Sequence, residues 1–173
     1  MTEEATPYTE RAQELFDRVR GWSKRWHVLS DGDDYPQWAG WLFSSLSLAS
    51  LGDQVEYVYL NEKKLDGPAH SLAQVIVLTT NRVLSIDIDT DGINQRTDFP
   101  IIVRPRSAIR TIEVTAGQTW FAGRSFSGRP NGHPAKATLH FDDASIDLEF
   151  VAGTVFSHRE SEDALERLLG SLV

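Results

Sequence analysis

Two adjacent segments in the middle of the chain have the hydrophobic patterns of β-strands. Apolar and polar residues alternate from Arg82 to Asp89, which is typical of a strand with one solvent-facing side. Leu72–Thr79 is apolar at both parities and rich in β-branched residues, so it predicts a strand covered on both faces, with a short buried helix as the alternative. Thr80-Asn81 suits a tight turn between them. We therefore predict a central hairpin with Ile76 and Ile86 in its core.

Residues 137–150 predict a second hairpin. Apolar and polar side chains alternate on both sides of a short acidic turn. We expect Phe141 to lie opposite Ile146, which would place His140 beside Asp147 on the outer face of the hairpin. Such a pair would be structural and not a catalytic dyad.

Helical patterns lie towards both ends of the chain. An apolar stripe at helical spacing runs from Ala12 to Trp26, after the capping pair Thr6-Pro7. A second helix is predicted from Pro36 to about Ser50, although its serine-leucine tail also alternates like a strand. Ser157–Glu160 has the form of a capping box before a final helix with a leucine-rich stripe.

Two motifs resemble those of bacterial pleckstrin-homology-like domains, which are related in shape to GRAM domains. The first is LTTNRVL at Leu78–Leu84, and the second is SAIRTIEV at Ser107–Val114, which contains an Ile-x-x-Ile pattern. The resemblance covers about Gly52 to Val173. It implies an α+β, mainly β fold, in which a bent seven-stranded antiparallel barrel is plugged at one end by a C-terminal helix. It also implies a function in binding and not in catalysis.

The resemblance divides the chain into an N-terminal helical extension, residues 1–51, and a PH-like barrel domain, residues 52–173, whose first strand is predicted at Val55–Leu60. We expect the extension to form a helical layer packed on the barrel. The alternative is a dimer surface, because four of the five tryptophans lie between Trp22 and Trp41. A helix lying on a membrane surface is a further alternative.

Composition narrows the class of partner. The formal net charge of −8 at pH 7 disfavours binding to nucleic acid or to a broadly anionic membrane. The chain has no cysteine, which predicts no disulfide and no thiolate metal site and agrees with a reducing compartment. Its longest uncharged apolar run, Trp38–Leu51, falls short of the roughly 20 residues that span a bilayer. We therefore expect a cytoplasmic protein, at most peripheral to a membrane, without a transmembrane segment.

Basic residues are concentrated between Phe99 and Phe141, where six of them accompany a single acidic residue. This stretch contains the long, glycine-rich loop 118–134, and loops of this length are often functional. Arginine binds carboxylates and phosphates bidentately, so the expected partner is an acidic protein surface or a small anion. The alternative is that these arginines pair with acidic residues of the same molecule. The candidate binding residues are Arg104, Arg106, Arg110, Trp120, Arg124 and Arg129.

Signals of catalysis are weak. Gly123–Gly128 resembles a nucleophile elbow, but its second glycine comes one residue late. The histidines and acidic residues have no recognised metal-ligand spacing. No catalytic residue, metal or cofactor is therefore predicted.

Three hypotheses about function follow. The favoured one is an interaction module that recognises a protein or peptide, for example by strand addition. The alternative is a peripheral membrane module, or one that binds a lipid headgroup or another small anion. The least favoured is a hydrolase of unrecognised type that works from the loop 118–134. A homo-oligomer is compatible with each of them.

Overall fold

The computed structural model of the chain describes residues 7–21, 37–64, 71–91, 93, 96–116, 135–150 and 158–170. These residues form three α-helices, seven β-strands and a short 3-10 helix at Arg106–Ala108. The helices are α1 Pro7–Gly21, α2 Gln37–Ala49 and α3 His158–Gly170. The strands are β1 Val55–Lys64, β2 Ser71–Thr79, β3 Arg82–Asp89, β4 Ile102–Pro105, β5 Thr111–Ala116, β6 Ala135–His140 and β7 Ser145–Phe150.

The predicted α+β, mainly β class and the predicted seven strands are confirmed. The described strands form two sheets, of four and three strands, and do not close into a single barrel. The 3-10 helix Arg106–Ala108 follows directly after β4 and interrupts the extended backbone, so β4 and β5 are separate strands. The chain divides into two compact units at this point, Met1–Arg104 and Pro105–Val173, which we call the first and second units.

The first unit is built around the predicted central hairpin. Its sheet has the order β1-β2-β3-β4, and β2 and β3 are antiparallel, with Leu78 opposite Val83 on either side of the turn at Thr80-Asn81. Both Ile76 and Ile86 are almost fully buried, as the sequence predicts. β2 is buried on both faces because apolar residues occupy both parities in its second half.

The two helices of the first unit pack against each other, and α1 also contacts β1. Phe16 of α1 meets Phe43 of α2 edge to face, with ring centroids 5.2 Å apart. Arg18 donates a hydrogen bond from Nη1 to the carbonyl of Val55 at 3.5 Å. Trp38 is almost fully buried and lies 6.3 Å from the ring of Phe99. The helical patterns therefore predicted α1 and α2 correctly within the described residues.

A buried carboxylate fixes the turn of the central hairpin. Gly52, with a φ of +84°, reverses the chain after α2 and brings Asp53 to the turn. Asp53 accepts hydrogen bonds from the Thr79 hydroxyl at 2.8 Å and the Asn81 amide at 2.9 Å. The Arg82 guanidinium lies 3.4 Å from the same carboxylate. The LTTNR motif thus has a structural role, because three of its polar side chains hold one buried acid.

The second unit consists of a three-stranded antiparallel sheet, in the order β5-β6-β7, and α3, which packs against β7. Ala164 and Leu168 are the buried residues of α3, at the four-residue spacing of one helix face. The buried side chains of β6 and β7 alternate with exposed or half-buried ones, as in a sheet with one covered face.

The predicted register of the second hairpin is wrong. Leu139, and not Phe141, lies opposite Ile146, and His140 lies opposite Ser145. The amide of Phe141 donates a hydrogen bond to the carbonyl of Ala144 at 2.8 Å, so the turn tightens to two aspartates and Ser145 joins the strand. The faces are still as predicted, because pairings that differ by two residues keep the same parity.

Candidate functional site

The strand β5 stands out because it lies at the edge of its sheet and is poorly covered. Among the described strands it pairs with β6 alone. Of its residues Thr111–Thr115, only Ile112 is half-buried and the other four are exposed. The side chain of Val114 is 42% exposed, although its parity places it on the apolar face. An edge strand of this kind offers unpaired backbone donors and acceptors together with apolar side chains.

The apolar face of the sheet is buried at β7 and β6 but becomes exposed at β5. Register places Ile112 beside Leu139, and Val114 beside Ala137, on the same face as Leu148 of β7. The three residues on β6 and β7 are buried, whereas Val114 is open. Since α3 packs at the β7 side, the apolar face extends to an uncovered margin at β5. That margin can accept further apolar side chains.

The opposite face of the same sheet is polar and internally bonded. Thr138 donates to Asp147 at 2.8 Å, and the Nδ1 of His140 lies 2.9 Å from the Ser145 hydroxyl. Glu113 of β5 approaches the Nε2 of His140 at 3.4 Å, a charge pair only when the imidazole is protonated. The side chain of Glu113 is 70% exposed, so its carboxylate remains accessible to a partner.

The candidate binding residue Arg110, which immediately precedes β5, already has a carboxylate partner. Arg110 donates two hydrogen bonds to Asp142, from Nε to Oδ1 at 2.9 Å and from Nη2 to Oδ2 at 2.7 Å. The hydrogen bond from Arg110 holds the pKa of Asp142 below its usual value, and the same bond raises the pKa of the guanidinium. Lys136 is likewise bonded to Glu149 at 2.8 Å, which raises the pKa of the lysine. Both basic side chains thus pair within the second unit.

Of the other candidate binding residues, one lies in the first unit, one lies in the second unit, and three lie outside the described residues. Arg104 is half-buried in β4 and ends the first unit, while Arg106 opens the 3-10 helix of the second unit and is only 6% exposed. Trp120, Arg124 and Arg129, with the rest of the loop 118–134, lie outside the described residues. Anion binding by the candidate residues therefore stays a prediction. Arg110 and Lys136 pair with acidic residues of the same molecule, which is the alternative interpretation.

Removing the guanidinium of Arg110 should lower stability only slightly. Arg110→Ala breaks an exposed ion pair, and such pairs contribute little, so we expect Tm to fall by about 2 °C at pH 7. The pKa of Asp142 is lowered in the folded state, so the contribution is present above its ordinary pKa and is lost as pH falls through the folded value. Thermal melts at pH 7 and at pH 2.5 check this.

The matched control for that experiment is Asp142→Asn, which leaves the guanidinium in place. It should lower Tm at pH 7 by a similar amount, and the double variant should add little, because both changes remove the same interaction. A larger effect of Arg110→Ala at pH 2.5 than at pH 7 would contradict the assignment.

The first unit has a concave region, but its polar groups are less available to a ligand than the edge of β5 is. It is a cleft of about 400 Å³ whose polar lining includes Asn61, Gln74, Asp87, Asp89 and Arg96. Asp87 already accepts a hydrogen bond from Gln74 at 2.7 Å, and Asp89 accepts one from a backbone amide at 2.9 Å. Both carboxylates therefore already accept hydrogen bonds from within the first unit.

The histidines and acidic residues of the described ranges form no group of three that could hold a metal ion. None of the helices in these ranges is long and apolar enough to cross a membrane.

Sequence reasoning missed the open edge of β5. The segment Thr111–Thr115 is rich in β-branched residues and carries one charge, which predicts a strand. An edge position depends on strand order, however, and local pattern does not contain strand order. Val114 looks like any other core residue until the sheet is known.

Comparison with known proteins assigns no family. No family model matches the chain, and no curated protein and no solved structure matches it.

Proposed function

We propose that the protein is a non-catalytic binding module of the PH-like kind, which recognises an extended peptide by adding it as a strand to β5. The observation that carries the proposal is the open edge of this strand, where Val114 is 42% exposed on an otherwise covered apolar face. Strand addition combines backbone hydrogen bonds, which supply affinity, with alternate side chains, which supply specificity.

The other edge strands are less suitable for strand addition. β4 is four residues long and ends at Pro105, whose nitrogen cannot donate a hydrogen bond. The apolar face of β7 is already covered, since its apolar residues are buried and α3 packs against it. In β1, the residues Tyr57–Leu60 are buried on both faces. They therefore leave no exposed apolar side chain that could contact the side chains of a peptide. β5 alone among the described edges joins an open apolar face to a six-residue strand.

The faces of β5 define the chemistry of the peptide. On one face, Ile112 and Val114 favour β-branched or aromatic residues at alternate peptide positions. On the other face, the exposed carboxylate of Glu113 favours a lysine or arginine directly across the new pairing. An opposite-charge pair of this kind contributes roughly 0.2–1 kcal/mol. The expected ligand is a segment in which apolar residues alternate with polar ones, with a basic residue at the centre of the polar set.

Selection from a library of short random peptides tests the proposal. Wild-type protein should enrich the alternating pattern with a central basic residue. Val114→Lys should weaken binding of a selected peptide at least about tenfold, because it puts a charge on the apolar margin, as charged side chains protect natural edge strands. Calorimetric titration measures the change.

Two controls separate this effect from general damage. Val103→Lys changes a valine that is 46% exposed in β4 of the first unit, and it should leave both affinity and Tm unchanged. Glu113→Lys should shift the enriched central residue from basic to acidic. Failure to enrich any alternating peptide, or equal loss of affinity in both valine variants, would exclude β5 as the binding strand.

A further inference from the structure

The outer face of α2 carries an exposed apolar stripe. Trp41 is 45% exposed and Leu48 is 59% exposed, and both lie on one side of the helix at seven-residue spacing. Ser44 and Ser45 lie between them and are half-buried. We call Trp41, Ser44, Ser45 and Leu48 the α2 stripe. The helix Gln37–Ala49 has no charged residue, in a chain whose net charge is −8.

A shallow apolar groove runs beside the α2 stripe, between α1 and α2. It has a volume of about 230 Å³, and Phe16 and Phe43 are among its lining residues. Gly40 and Ser44 lie on the α2 side of the groove, next to the stripe. Apart from its chain neighbours and the local helix backbone, a Cβ added at Gly40 would have no atom within 4 Å, so the space above this glycine is open. A knob and a hole therefore lie side by side on one surface.

We propose that the α2 stripe is the contact surface of a homodimer, in which α2 packs antiparallel against α2 of a second copy. A two-fold axis between Ser44 and Ser45 pairs Trp41 of one copy with Leu48 of the other, and it does so twice. Small residues at the axis let the helices approach closely, and Leu48 of each copy then lies beside Gly40 at the edge of the other copy's groove. A surface that is complementary to itself in this way is what an isologous contact requires.

Charge supports a second copy as the occupant. Two molecules of like net charge repel, so a contact between copies is least unfavourable where the surface carries no charge. A charged side chain near a two-fold axis would also meet its own equivalent, and the α2 stripe contains none. Ser45 donates its hydroxyl to the carbonyl of Trp41 at 3.0 Å, so this group keeps a hydrogen bond when water is displaced.

Sedimentation equilibrium over a range of concentrations tests the proposal on the full chain. Wild-type protein should be a dimer that dissociates on dilution. Trp41→Lys and Leu48→Glu should each weaken dimerisation at least about 30-fold, because each buries two charges without partners. An equimolar mixture of the two variants should form a heterodimer. At one contact the introduced lysine then faces the introduced glutamate, and at the other contact the native Leu48 and Trp41 still meet. This recovery would not occur if another kind of partner covered the stripe.

Two further variants keep the test interpretable. Leu72→Glu alters a leucine that is 43% exposed in β2, and it should leave the dimer intact. Gly40→Leu should fill the groove and block dimerisation, while the monomer keeps its melting temperature because the space is open. A wild-type protein that is monomeric at all concentrations, variants that still dimerise, or a mixture without a heterodimer would each overturn the proposal. These outcomes do not depend on peptide binding at β5.

Discussion

Replacing Ile86 with aspartate should unfold the first unit. Ile86 is 2% exposed and lies opposite Val75 in the central hairpin, between strands whose core side chains are almost fully buried. An aspartate there would be a buried carboxylate without a partner, which costs several kcal/mol even after local relaxation. Because domains of this size are stable by only about 5–15 kcal/mol, the loss removes most or all of the stability. Circular dichroism at 25 °C and a thermal melt measure it.

The matched control is Ile102→Asp, which makes the same chemical change in β4, where the isoleucine is 47% exposed. We expect the control to lower stability by less than about 1 kcal/mol, as exposed substitutions usually do. A folded Ile86→Asp protein whose Tm equals that of wild type would contradict the assignment of Ile86 to the core.

Replacing Asp53 with alanine should have the second largest effect. The side chain of Asp53 is 4% exposed and holds Thr79, Asn81 and Arg82 at the turn of the central hairpin. Alanine leaves the hydroxyl and amide without this acceptor and the guanidinium without its carboxylate. Since Arg82 is 38% exposed, water compensates it in part, and we expect a loss of about 2–4 kcal/mol. Chemical denaturation measures the free energy of unfolding.

Two comparisons show whether the carboxylate itself is responsible. Asp53→Asn keeps one oxygen acceptor and should lose about half as much as alanine. Asp98→Ala removes an exposed carboxylate of the same unit and should change stability by no more than about 0.5 kcal/mol. The assignment fails if Asp53→Ala is no more destabilising than Asp98→Ala.

The central hairpin could be predicted from sequence because its signals are local. The alternating pattern of Arg82–Asp89 and the turn residues Thr80-Asn81 are close in sequence to the strand pairs that they determine. The role of Arg82 could not be predicted in the same way. Its guanidinium donates to the carbonyl of Ala49 at 2.9 Å and lies near Asp53, groups that are about 30 positions earlier in the chain. These neighbours come from the end of α2 and the turn that follows it, which lie beside the hairpin in the fold.

The second hairpin shows a limit of the same kind. Alternation assigned Leu139 and Ile146 to the covered face correctly, but it could not choose between registers of equal parity. That choice depends on the hydrogen bond from Phe141 to Ala144, which selects a two-residue turn.

The candidate site was the least predictable part. Charge counting selected Arg110 as a binding residue, but its carboxylate partner is Asp142, 32 positions later in the chain. Conversely, β5 has no unusual residue, and it became a candidate only when strand order placed it at an edge. A cluster of charge in sequence therefore does not show which side chains already have a partner. The sheet topology is what distinguishes Val114 from the buried valines.

The most direct test of strand addition is amide hydrogen exchange, measured residue by residue, with and without a peptide selected on the wild-type protein. Bound peptide should slow exchange of the outward-facing amides of Thr111–Ala116 at least about tenfold, because they gain hydrogen bonds to the new strand. The amides of the other edge strand of this sheet, Ser145–Phe150, should be unchanged. Slowed exchange at Ile102–Pro105 or Val55–Lys64, with no change in β5, would contradict the account.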